Sequence, residues 1–405
     1  MHDLTEGFAS VPMLLYACFY IIQERDSGTM SKARDKTPIY LDYNATAPLR
    51  PEVIALLTEK MGLAGNASSI HGFGRLVRKE IEAAREDVAR LAGADSSHVV
   101  FTSGATEANN AVINGAPVQR FLYSAIEHPS VTDAALRRDN AYAVPVQPNG
   151  VIDLAALEEM LARDLGQTLV SVMWANNETG VIQPVAEISA LAKKYGALFH
   201  CDAVQAAGRL PIDMAQSGID YLTLSGHKIG GPAGIGALIY SHDTPLEKLI
   251  HGGGQEKRRR AGTENFLGAL GFGSAATLAA GEVGRMDKIA KMRDELEEEM
   301  FLAVPRAEFI GRDAQRLPNT IQVILPGVPA ETQLMSLDLG GIAVSSGSAC
   351  SSGSVRPSHV LLAMGVSDQK ARCALRISLG YATTPEEISR FLQLWVTNSQ
   401  RYLGK

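Results

Sequence analysis

One lysine sets the chemistry open to this chain. Lys228 stands in Tyr221–Gly236, YLTLSGHKIGGPAGIG, where the apolar run Tyr221-Leu-Thr-Leu224 reads as a buried strand that breaks into a glycine-rich turn. Burial disfavours the ammonium form, so a lysine at this strand end is predicted to keep a free amine, as Schiff-base formation requires. Gly230, Gly231, Gly234 and Gly236 let a ligand approach the backbone. Ser225 and His227 offer side-chain donors beside the amine, suited to a phosphate.

Three other strand-like runs end on polar residues. Phe121–Ala125 leads to Glu127-His128-Pro129, Leu169–Trp174 to Asn176-Asn177-Glu178-Thr179-Gly180, and Ala197–Cys201 to Asp202-Ala203-Val204-Gln205. His98–Thr102 feeds Ser103-Gly104-Ala105-Thr106, a glycine turn that opens a helix. Free N–H groups and the positive end of the helix dipole make such a turn an anion site. Taken singly, His128 reads as a structural histidine and Asp202 as a helix cap. In series they argue for one site, because ligands of open α/β sheets bind beyond the carboxyl ends of the strands. An acid, a lysine and a phosphate cradle match pyridoxal phosphate, which needs a lysine Schiff base and a carboxylate on its pyridinium nitrogen. On this reading Lys228 carries the cofactor and Asp202 holds the ring nitrogen. Gln205 and Asn177 bond the phenolic oxygen or the substrate, and His128 stacks on the ring and moves protons.

Alternating strands and helices must position these residues, and they predict an α/β fold with a doubly wound sheet. The 405 residues are too many for one small core. The division expected is a large domain over 38–285 and a smaller α+β domain over 286–405, with 38–50 packing against the latter. A long helical segment from about Glu264 to Phe301, interrupted near Gly281 and Gly284, joins them. Residues 1–37 differ in character: Val11–Ile22 is a twelve-residue apolar run, too short to span a bilayer. Translation is expected to start at Met30, with residues 1–29 dispensable. A net charge of -6 argues against nucleic acid or an anionic membrane as the main partner. The four cysteines, Cys18, Cys201, Cys350 and Cys373, show no metal-ligand spacing, and reduced thiols in a cytoplasm are expected. Cys350 sits in a serine- and glycine-rich run, Val344–Ser354, where a thiol is exposed and reactive. Arg376, inside the apolar run LRISLG, is a buried cation suited to a substrate carboxylate. His251–Asn265 is basic and glycine-rich, either a surface loop or a segment beside an anionic ligand.

The motifs YLDYNATAP, FTSGATEANN, EHPSV, NNETG, HCDAVQ, SGHKIGGPAGIGAL, GGGQEKRRRAGTEN, SSGSACSSGS and LRISLG together resemble those of the cysteine desulfurases of the nitrogen-fixation and iron–sulfur-cluster type. The resemblance runs from about Ile39 to Gly380. It implies an aspartate-aminotransferase-like fold (fold type I), with a mainly parallel seven-stranded sheet in the large domain, and a homodimer. It implies conversion of L-cysteine to L-alanine, with the sulfur held as a persulfide for an iron–sulfur scaffold or another acceptor protein. Carried over by position, Lys228, Cys350 and His128 are catalytic. Ala105, Thr106, Ser225 and His227 hold the phosphate, and His128, Asn177, Asp202 and Gln205 surround the ring. Thr263 reaches the phosphate of the partner subunit, and Asn66, Asn177 and Arg376 hold the substrate. No metal ligands are implied beyond a transient contact of Cys350 with an iron–sulfur cluster. The chain departs from the family in its N-terminal extension, in lacking a proline after Asn66, and in Arg356 where glutamate is common, which alters acceptor docking. The alternatives are a selenocysteine lyase or an aminotransferase of the same fold. Transamination needs no thiol, so Cys350 argues for the desulfurase. A docking scaffold without catalysis is opposed by the intact Lys228, Asp202, His128 and Cys350.

Overall fold

The computed structural model describes residues 37–163, 165–241, 244–346 and 357–404. In chain order its strands are β1 (Ile39–Tyr40), β2 (Val99–Thr102), β3 (Arg120–Ser124), β4 (Ala141–Val144), β5 (Thr168–Ser171), β6 (Leu198–Asp202), β7 (Tyr221–Ser225), β8 (Gly236–Tyr240), β9 (Glu308–Phe309), β10 (Thr320–Ile324), β11 (Ile342–Ala343), β12 (Ser345–Ser346) and β13 (Ala374–Ser378). Seven of them form one sheet in the order β2-β8-β7-β6-β5-β3-β4. β8 runs antiparallel to both neighbours and every other pairing is parallel. The sheet is therefore mainly parallel, as the motifs imply.

Its central strands are buried on both faces, which is why they read as unbroken apolar runs. Successive residues still divide between two cores, because side chains alternate along a strand. Leu122, Val170 and Leu222 join one core, and their neighbours Phe121, Leu169 and Tyr221 join the other. The first core is covered by the helices Gly72–Ala92 and Phe266–Glu282. In Gly72–Ala92, Val77, Ile81, Ala84 and Val88 form the buried stripe, and Gly93 ends the helix in a left-handed conformation at φ 59°. Phe266–Glu282 is apolar on all sides because it runs between that helix and the helix Pro51–Lys60. The helical stretch 266–303 is long and apolar enough to cross a membrane, yet half of its most apolar 18-residue window is buried within the protein. A 3-10 turn at Val283–Arg285 separates Phe266–Glu282 from the helix Met286–Ala303. At the closest approach of the first core's helices, a Cβ on Gly273 would lie 2.6 Å from Ala84 Cα, so only glycine fits.

The C-terminal part has its own antiparallel sheet, β12-β13-β10-β9. Leu296 and Met300, Ile321 and Val323, Leu375 and Ile377, and Phe391 and Trp395 form its core. The last two lie one turn apart on the helix Pro385–Tyr402, which Thr384 and Glu387 start with a capping box. Ile39 and Leu41 belong to this core as well, and β1 pairs in parallel with β11. The stretch Ile342–Ser346 forms two short strands, β11 and β12. Its first half pairs with β1 and its second with β13, and Val344 makes the change of partner.

Candidate active site

A cavity of about 600 Å³ opens beyond the carboxyl ends of β3, β5, β6 and β7. Ala105, Thr106, His128, Asn177, Asp202, Gln205, Ser225, His227, Lys228 and Arg376, all singled out in the sequence, line this one space. Asn44 and Ala45, from the turn after β1, line it as well.

Lys228 closes the 3-10 turn Gly226–Lys228 that follows β7. Its Nζ donates to the carbonyls of Asn44 at 2.7 Å and Ala45 at 2.8 Å. Burial lowers its pKa from the ordinary 10.5 to about 7, with help from the guanidinium groups of Arg376 and Arg209 and against the pull of Asp202 and Asp42. Near neutrality a large share of the lysine is therefore free amine. His227 is also driven down, to about 4, by burial and by Lys228, so its ring is neutral. Its Nδ1 lies 2.8 Å from Thr46 Oγ1.

The carboxylate of Asp202, the last residue of β6, is buried and held at both oxygens. The backbone N–H of Val204 donates to Oδ1 at 3.0 Å and Asn109 Nδ2 donates to Oδ2 at 2.7 Å. The side chain of Gln205 is engaged at both ends. Nε2 donates to the Asn44 carbonyl at 2.9 Å, and Oε1 accepts from Arg209 at 2.6 Å. His128 caps the helix Pro129–Ala135, its Nδ1 accepting the backbone N–H of Ser130 at 3.1 Å.

The helix Ala105–Gly115 begins at Gly104 without a side-chain cap, so first-turn N–H groups are presented at the cavity edge. Gly104 packs against β8, where a Cβ on Gly236 would come within 2.7 Å of the Gly104 carbonyl carbon. Glu107 steadies this turn by accepting the Ser103 N–H at 2.8 Å and the Arg260 guanidinium at 2.9 Å. Burial raises its pKa, but the bonds from Arg260 and Ser103 outweigh that and leave it lowered. The basic segment that holds Arg260 is thus no free surface loop. Its Glu256 is buried, accepting Arg85 at 2.6 Å and the Phe101 N–H at 2.8 Å. These bonds hold Glu256, Lys257 and Arg258 in three successive left-handed conformations.

Arg376, on β13, requires a correction. The sequence reading left its carboxylate partner to the substrate, but Nη2 already donates to Asp42 Oδ1 at 2.8 Å and Nη1 to the Asn177 carbonyl at 3.1 Å. Its buried Nε has no partner among the described residues. Asn66 is exposed, its Oδ1 accepting the Ser68 N–H at 2.8 Å, and does not line the cavity of its own chain. Thr263 is also exposed and outside that cavity. Cys350 and Arg356 lie outside the described residues. The sequence reading did not assign Asp42, Asn44, Asn109, Ser130 or Arg209 to the site. Asp42, Asn44, Asn109 and Ser130 stand inside quoted motifs, and that was the available signal.

Comparison with known proteins agrees with this geometry. Residues 39–391 match the family described as Aminotransferase class-V. The chain is 41% identical over 375 residues to "Cysteine desulfurase IscS" of Dictyoglomus turgidum, covering 89% of this chain and 94% of that one. It is 43% identical over 373 residues to a cysteine desulfurase of Sinorhizobium fredii, covering 88% and 95%. Among solved structures it is similar to a NifS-like protein from Rickettsia africae, with a TM-score of 0.84 and 37% identity over 91% of this chain and all of that one. It is also similar to SspA in complex with cysteine, with a TM-score of 0.72 and 30% identity over 84% and 98%.

Proposed function

This chain belongs to the class-V aminotransferase family and is a cysteine desulfurase of the NifS/IscS type, and from that premise we propose that its cavity holds pyridoxal phosphate on Lys228 and that Cys350 receives the sulfur of L-cysteine. The observation that carries the reading is Lys228: a primary amine with its pKa lowered to about 7, in one cavity with a doubly held carboxylate and an uncapped helix N-terminus. These residues fit the cofactor. The first-turn N–H groups after Gly104, with Thr106, Ser225 and His227, would hold its phosphate. Asp202 would hold its ring nitrogen, and Lys228 would bind its carbonyl carbon. When bound, the pyridine ring takes up the electron pair released at the substrate's Cα.

The chain's own residues supply the rest. Arg376 lines the cavity and would meet the substrate carboxylate there, while Asp42 and the Asn177 carbonyl hold its two terminal nitrogens. Lys228, half free near neutrality, can accept and return a proton. The Cys350 thiolate forms a bond to the substrate sulfur, and the Cβ–S bond breaks with its electron pair left on carbon. The carbon fragment takes up a proton and leaves as L-alanine, and the sulfur stays as the outer atom of a persulfide. The transfer balances without an outside oxidant.

The reading is tested with Lys228→Ala and Cys350→Ser. Lys228→Ala is expected to abolish a borohydride-reducible bond between cofactor and protein. Cys350→Ser is expected to keep that bond but to release no alanine catalytically and to carry no persulfide. Alanine release at the wild-type rate by Cys350→Ser would refute the nucleophile and favour a selenocysteine-lyase-like cleavage, since transamination gives a 2-oxo acid and no alanine. The acceptor is proposed to be an iron–sulfur scaffold or another sulfur-accepting protein, and the assembly a homodimer. The proposed compartment is the cytoplasm, supported by Cys201 and Cys373, both unpaired and buried.

A further inference from the structure

Asn109 is fully buried on the helix Ala105–Gly115, among the apolar Ala108, Val112 and Ile113. Its Nδ2 lies 2.7 Å from Asp202 Oδ2 and 2.8 Å from Ser130 Oγ. Facing a carboxylate, the amide must present its NH2 and not its oxygen. Both N–H groups are then spent, one on each acceptor. Ser130 Oγ, already accepting, has its own hydrogen to give, and His128 Nδ1 stands 2.9 Å away. The same Nδ1 accepts the Ser130 backbone N–H. Neutral His128 therefore carries its proton on Nε2, a nitrogen with no hydrogen-bond partner among the described residues.

We infer that Asn109 is a positioning residue that couples the carboxylate of Asp202 to the imidazole of His128 through the hydroxyl of Ser130. The hydrogen bonds all run outward from the amide: Asp202 anchors one end, and the other end holds His128 as a donor through Nε2. Asn109 Oδ1 is buried with no partner, a cost a residue kept for packing alone would not carry. The coupling constrains the chemistry. A proton can reach Nδ1 only by displacing two donors, so Nε2 is the nitrogen that exchanges protons with the cavity. Burial, Lys228 and His359 also disfavour a charged His128, while Asp202 and Asp133 favour it. The bearing on catalysis rests on the cofactor reading above, but the coupling itself is a property of the chain alone.

The experiment follows the 15N signals of His128 through a pH titration of the full chain labelled in histidine, the signals being assigned with His128→Asn. Wild type is expected to show the Nε2–H tautomer. In Asn109→Leu the Ser130 hydroxyl is free to turn and accept from a protonated Nδ1, so proton affinity at His128 should rise about tenfold. Ser130→Ala should also raise it, and the two effects should not add, because both cut one chain of bonds. If Asn109→Leu does not fold, Asn109→Ala leaves the same hydroxyl without its donor and is expected to move His128 in the same direction. An unchanged His128 midpoint in the folded Asn109 variant overturns the inference, as do fully additive effects. A wild-type chain that forms no lysine-linked chromophore with pyridoxal phosphate would overturn the cofactor reading instead, and the histidine midpoint would still decide the coupling.

Discussion

The Lys228 amine is pulled two ways. Two backbone carbonyls accept its hydrogens and favour the ammonium, while burial and the guanidinium groups of Arg376 and Arg209 disfavour it. The second set wins, so the amine should be reactive at a pH where surface lysines are not. In the cofactor-free chain, modification of Lys228 by an acylating reagent, read by mass spectrometry, is expected to be half-maximal near pH 7 rather than near 10.5. Removing a cation makes the protonated lysine less costly, so Arg376→Met should move that midpoint upward. A midpoint near 10 in wild type, or a downward move in Arg376→Met, would contradict the electrostatic account.

The helices that cover the sheet show how tightly the scaffold is set. Phe272 is fully buried, and burying such a side chain contributes about 2 kcal/mol. Its neighbour Gly273 has no room at all, since an added Cβ would meet Ala84 Cα at 2.6 Å. Gly281, on the same helix, has nothing within 4 Å of an added Cβ. Opposite outcomes are expected from one chemical change. Gly273→Ala should destabilise by about 1–3 kcal/mol through overpacking. Gly281→Ala should stabilise by about 0.5–1 kcal/mol through helix propensity. Urea unfolding of both variants checks this, and equal shifts of the same sign would show that the two helices do not meet as described.

Across the whole molecule, the segment from Ile54 to Phe73 exposes Ile54, Met61, Ile70 and Phe73, the third at 88%. Burying such groups would favour association, and the proposed occupant is a second copy of the chain. Asn66 lies within the same segment, so a dimer would give it and Thr263 an environment that one chain does not. Sedimentation of the wild type is expected to report two chains, and Phe73→Asp with Ile70→Asp to report one. An active wild-type monomer would refute the dimer, as would a double variant that stays dimeric.

Lys228, Asp202, His128 and Thr106 were legible from the sequence because each follows a buried apolar run, and the carboxyl ends of parallel strands converge. What the sequence alone did not disclose is who holds these groups. The amine of Lys228 rests on carbonyls more than 180 residues away, and a carbonyl carries no residue type to read. Asp42 meets Arg376 across 334 residues, taking the partner that the sequence reading left to a substrate. Asn109 lies in a motif, but its contact with Asp202 spans 93 residues and arises only once a helix packs on the sheet. Residue types and local periods are written along the chain, whereas the direction of a hydrogen bond depends on which acceptor the fold brings within 3 Å.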